Sequence, residues 1–182
     1  KLIDGISDAS VKEAVAKGFH KLLTYKDEYE VARLHLNTRK KAQQVFYGVE
    51  KISYHLAPPI LSKIGSDGRP IKRVFGSSME RVFPILAKLK FLRGTPLDIF
   101  GYTAERKMER GLICQYEKDI SQILPQLSEE TRDIIIALAE LPLTIRGFGP
   151  VKRLSAQQAA KKREDLLNTL KYSNENLDHA AE

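Results

Sequence analysis

The chain has 182 residues, enough for one domain that buries roughly 70% of the surface its unfolded form would expose. Thirty Lys and Arg against 23 Asp and Glu leave a net charge of +7 and a sequence pI of about 9.4, which biases encounters toward acidic partners. One cysteine, Cys114, excludes an internal disulfide, a cysteine-rich zinc site and an iron–sulfur cluster held by this chain alone, and no apolar run approaches the ~18 residues that span a bilayer.

Lys1 is not an initiator Met and no secretory pattern follows it, so the chain is expected to be a piece of a longer cytoplasmic protein. Ser10-Val11-Lys12-Glu13 has the form of a capping box, and Val11, Val15, Phe19, Leu22 and Leu23 follow at helical spacing. After a joint at Tyr25-Lys26, Asp27-Glu28-Tyr29-Glu30 repeats the capping logic and opens a second short helix toward Asn37. The charges here alternate in sign, as on a solvated helical face.

The period changes at Val49. Ile52, Tyr54 and Leu56 alternate with Ser53 and His55 as in a half-buried strand, and Pro58-Pro59 ends it. Ser66-Asp67-Gly68-Arg69-Pro70 is turn chemistry, and Ile71-Lys72-Arg73-Val74-Phe75 leans toward a second strand, so a wide hairpin is expected within 49–75.

Pro84 either opens a helix Pro84 to Leu92 or kinks a longer one that began near Met79, with Gly94 as the stop. The connector Gly94-Thr95-Pro96-Leu97-Asp98-Ile99-Phe100-Gly101-Tyr102 carries apolar anchors expected to hold it to the body. Thr103 then caps a long helix striped with Met108, Leu112, Ile113, Tyr116, Ile120, Ile123 and Leu124.

Ser128-Glu129-Glu130 is placed to begin another helix, which Pro142 ends. Past a glycine-bearing turn at Ile145 to Pro150, Ser155-Ala156-Gln157-Gln158 resembles a capping box. It leads into a last amphipathic helix marked by Ala156, Ala159, Ala160, Arg163, Leu166, Leu167 and Leu170. The pattern predicts a mainly α domain of about six helices over 1–172, with a small β-hairpin around 49–75 and a polar tail at 173–182 that frays.

The chemistry-bearing residues are scattered. His20, His35, His55, His179 and Cys114 share no metal-ligand spacing, and no Gly-x-Ser-x-Gly elbow is present. Gly147-Phe148-Gly149 lacks the remainder of a phosphate loop and reads as a helix stop with a turn. No catalytic, cofactor-binding or metal-binding residue is therefore expected. His55, Arg93, Arg106, Arg110 and Arg146 form the candidate interface set, because each lies in or beside a distinctive segment. An arginine there clamps a carboxylate, either within the chain or on a partner.

Tyr54-His55-Leu56-Ala57-Pro58-Pro59, the run Leu92 to Arg110 and Ile145-Arg146-Gly147-Phe148-Gly149, in that order, resemble the C-terminal region of the large single-chain indolepyruvate ferredoxin oxidoreductases. The resemblance covers most of the chain, from about Asp27 through Lys152. It implies a non-catalytic accessory domain of a parent that oxidatively decarboxylates aryl 2-oxoacids to acyl-CoA. The parent would use thiamine diphosphate, Mg, 4Fe-4S clusters and coenzyme A, none of them held by this fragment. The partners implied are the catalytic domains of the same parent chain, a dimer mate and ferredoxin. The alternative, a basic helical nucleic-acid-binding module, rests on charge and helical content and has no recognition motif.

Overall fold

A computed structural model describes residues 5–58, 63–66 and 70–180. Pro59, the centre of the Ser66–Pro70 turn and Leu2 to Asp4 lie outside the described residues. Among those described, the chain forms seven α-helices, α1 Ala9–Leu23, α2 Glu28–His35, α3 Thr38–Val45, α4 Met79–Lys88, α5 Ala104–Ile123, α6 Arg132–Glu140 and α7 Pro150–Ala180. A two-stranded antiparallel sheet, β1 Tyr54–Leu56 with β2 Arg73–Phe75, completes the fold. The fold is mainly α with the small hairpin that the alternation at 52–56 predicted. No described helix is long and apolar enough to cross a membrane.

The chain divides into two compact units where its length suggested one core. One takes in the residues up to Tyr25 and from Met108 on; the other is Lys26–Lys107. The first crossing falls at the Tyr25-Lys26 joint, and the second lies within α5.

In the first unit α1, α5, α6 and α7 share a core of Val11, Val15, Tyr116, Ile120, Ile135 and Leu170 with their neighbours. The predicted stripe of α5 supplies one wall, because its residues recur at the helical period and come to one face. The Tyr116 hydroxyl reaches the carbonyl oxygens of Val15 in α1 (3.1 Å) and Ala139 in α6 (2.9 Å), tying three helices at one buried point.

Several boundaries differ from the sequence reading. Asp8, not Ser10, caps α1: its carboxylate accepts the amides of Ser10 and Val11 at 2.8 and 3.0 Å and pairs with Arg132 at the head of α6. A carboxylate outcompetes a hydroxyl when a guanidinium completes its coordination. Ser128 and Thr131 hydrogen-bond each other in a part-buried turn, so α6 begins at Arg132, later than expected.

Helix α7 begins at Pro150, where a missing amide costs nothing. Ser155 therefore lies inside the helix, and its hydroxyl bonds the backbone of Arg146 on both sides, accepting its N–H and donating to its carbonyl. The helix also runs past Tyr172 to Ala180. Buried Leu170, the Lys171–Glu175 pair and the Asn174 amide on Gln126 at 2.6 Å hold its continuation.

In the second unit the core is aromatic. Ala32, Tyr54 and Phe83 are buried together, and the His35 ring stacks on Phe83 with centroids 5.0 Å apart while meeting Tyr54 edge-on. The hairpin thus packs through Tyr54, whose partner in register is Phe75. Helix α3, with no buried residue, interrupts the stretch toward β1 and was not predicted. Pro84 lies within α4, which continues to Lys88 and tightens into a 3-10 turn at Leu89–Leu92.

Candidate functional site

The second unit concentrates its buried charge around the segment that stood out in the sequence. Asp27 caps α2 by accepting the Glu30 amide at 2.8 Å, and Arg93 grips the same carboxylate through Nη2 at 2.9 Å and Nε at 2.6 Å. An N-cap carboxylate held bidentately fixes the end of the 3-10 turn against the start of α2.

Asp98 organises the connector beyond that turn. It is 4% exposed, and its carboxylate accepts the Gly94 amide (3.0 Å), the Gly101 amide (3.0 Å) and the Tyr29 hydroxyl (3.1 Å). These contacts close residues 94–101 around their own acid. A Cβ at Gly101 would lie 2.5 Å from the Asp98 carboxylate, so only glycine lets the chain pass. Burial, reinforced by the bond to Asp98, pushes the Tyr29 hydroxyl up to about 12, which keeps it a proton donor at neutral pH. The Tyr29 ring also meets Phe100 edge-on at 5.3 Å.

The consequence is an inverted loop. Apolar side chains were expected to anchor this connector, and Phe100 does so. Leu97, Ile99 and Tyr102, however, are 70%, 59% and 59% exposed while the acid sits inside. Tyr102 is itself fixed, its hydroxyl donating to the Pro96 carbonyl at 2.9 Å. The loop thus carries a polar clasp inside and an apolar surface outside.

Below the clasp, Arg106 in the first turn of α5 is buried between two carboxylates, with Glu28 and Glu105 each 3.9 Å away. Burial raises the Glu28 carboxyl above the ordinary range, and the Arg106 charge opposes that shift.

The candidate residues are distributed over both units. Arg93 and Arg106 are committed to carboxylates of their own unit. His55 is exposed in β1. Arg110 and Arg146 belong to the first unit, where Arg146 is exposed and engaged by Ser155 through its backbone, and Arg110 is half-buried in α5. The set is thus not one cluster. Sequence reasoning read Asp27 as a helix cap but passed over Tyr29 and Asp98, the side chains that build the clasp. The signal for Asp98 was its place between Gly94 and Gly101, whose amides it binds.

The first unit carries two further polar links and a cavity. Lys152 in α7 pairs with buried Glu109 in α5. One helical span further along, Arg163 holds Asp119 through two bonds of 2.5 Å, and Gln115 donates to the same carboxylate at 2.8 Å. Beside this bridge lies a cavity of about 210 Å³ between α5, the α6 end and α7.

A model of a protein family of unknown function, DUF6537, matches residues 3–165. The chain belongs to the DUF6537 family. No curated protein and no solved structure matches it. The DUF6537 match takes in both units, the Asp98 clasp and the whole cavity lining, and ends within α7.

Proposed function

We propose that this DUF6537 chain is a non-catalytic accessory domain of an indolepyruvate-type 2-oxoacid:ferredoxin oxidoreductase. It would act in the cytoplasm by docking onto the catalytic domains of its own parent chain or of a dimer mate. The sequence resemblance supplies the parent. The supporting observation is the clasped loop, which fixes Leu97, Ile99 and Tyr102 outward and so lowers the entropy lost when an apolar partner covers them.

The parent's chemistry is assigned to other parts of the parent. A 4Fe-4S cluster needs several thiolates and the chain has one cysteine, so it fits no such group by itself and no reaction step is derived through one. The same holds for thiamine diphosphate, Mg and coenzyme A, for which no residue is assigned. The net charge of +7 suits acidic ferredoxin as a second partner.

Three measurements test the reading. The coding sequence flanking this segment is expected to carry a thiamine-binding motif and cysteine clusters; flanks with neither would refute the assignment. In such a parent, the Leu97→Asp, Ile99→Asp double variant is expected to lower indolepyruvate turnover while the fold persists. Salt titration of ferredoxin binding checks the electrostatic half, and salt-insensitive or absent binding removes it.

A further inference from the structure

The cavity of the first unit has a composition that selects a ligand. Its floor is Ile120, Ile123 and Leu138, all buried, and its far wall is Ala156, Ala159 and Ala160, one face of α7. Three alanines at i, i+3 and i+4 leave unfilled the volume that leucines would occupy, so the space is written into the sequence of α7. Gln115 and Ala160 are exposed, and the cavity therefore reaches the surface at the edge where Gln115, Asp119 and Arg163 meet.

That edge carries the cavity's polarity. Asp119 and Arg163 neutralise each other through two short bonds, which leaves no counter-ion for a second charge entering an otherwise apolar space. A hydroxyl or N–H at the mouth meets the Asp119 carboxylate or the Gln115 amide. Size sets the other limit: an apolar cavity of about 150 Å³ accommodates benzene, so this one admits a molecule of roughly eight heavy atoms.

We infer that this cavity is a binding site for a small, uncharged, largely apolar molecule, aromatic or short-chain aliphatic, bearing one hydrogen-bond donor seated at the Gln115–Asp119 edge. Such a site sits in the first unit and is independent of the loop proposed to dock the domain.

The test titrates the 182-residue chain with phenol, toluene and benzoate while following amide resonances by NMR. Phenol is expected to perturb Leu112, Tyr116 and Ala159 saturably, toluene to bind more weakly, and benzoate at least about tenfold more weakly than phenol because its charge lacks a partner. Ala159→Leu fills the space and is expected to weaken phenol at least about tenfold while leaving the fold intact. Should that variant fail to fold, Gln115→Leu, at an exposed position, is expected to narrow the preference of phenol over toluene. The inference is overturned by phenol leaving the lining residues unperturbed, by benzoate binding as well as phenol, or by an Ala159→Leu protein that folds and binds phenol undiminished. An unchanged phenol-to-toluene ratio in Gln115→Leu overturns the seat assigned to the donor.

Discussion

Two glycines inside helices should respond oppositely to alanine. At Gly18 in α1, a Cβ would lie 2.1 Å from the Ala139 carbonyl oxygen and 2.5 Å from the Tyr116 hydroxyl. Ordinary contact begins near 3.4 Å, so α1 and α6 must part by about 1.3 Å at the point where Tyr116 joins them. Overpacking costs about 1–3 kcal/mol. Pulling Tyr116 off its two buried carbonyls adds about 1–3 kcal/mol, while alanine's better helix propensity returns about 1 kcal/mol. Gly18→Ala is therefore expected to lose about 1–5 kcal/mol, a fall in Tm of about 2–20 °C for a chain of this size.

Gly111 in α5 is the matched control. It is exposed and nothing lies within 4 Å of its Cβ position, so alanine there is expected to stabilise by about 0.5–1 kcal/mol. Urea unfolding followed by circular dichroism on both variants measures the difference. A Gly18→Ala protein as stable as its parent would falsify the close approach of α1, α6 and Tyr116.

Three further predictions address the clasp, the loop and the acid limb. Asp98→Ala removes the acceptor for the Gly94 and Gly101 amides and is expected to cost about 2–4 kcal/mol, with faster hydrogen exchange at both glycines; unchanged exchange would argue against a clasp. The Leu97→Asp, Ile99→Asp variant removes only exposed apolar surface, so its unfolding free energy should stay within about 0.5 kcal/mol of the parent, and a larger loss would mean the loop packs inward. The Arg132 guanidinium, helped by the Val11 and Ser10 amides, holds the Asp8 carboxyl down at about 2 from its ordinary 3.8. A carboxyl depressed in the folded state stabilises fully above its unfolded value and loses that contribution as pH falls through its folded one. Asp8→Asn should therefore flatten the stability profile between about pH 4 and pH 2, and a profile as steep as the parent's would rule out this linkage.

The clasp shows most clearly where the sequence reading fell short. Leu97, Ile99 and Phe100 read as anchors because transfer out of water favours burying them. Burying Asp98 inside its own loop satisfies two backbone amides that no apolar side chain could serve, and only one of the three apolar residues then faces inward. Asp8 capping α1 in place of Ser10 has the same origin, since the partner that stabilises it, Arg132, lies 124 residues away. The pairings of Asp8 with Arg132 and of Asp98 with Tyr29 are long-range and leave no local trace, whereas the glycines on either side of Asp98 are a local one.

What the sequence determined by itself was local: the helical period of α1, α5 and α6, the two-residue period at 52–56, the cap at Asp27 and the stripe that became a wall of the first core. These features arise from which side chains face one side at 3.6 or 2 residues per repeat. Only the tertiary structure decided that the chain clusters into two units, that Arg93 and Arg106 are spent on internal carboxylates, and that three alanines leave a cavity beside Asp119 and Arg163. Each depends on which faces meet, and periodicity says which residues share a face but not what lies opposite.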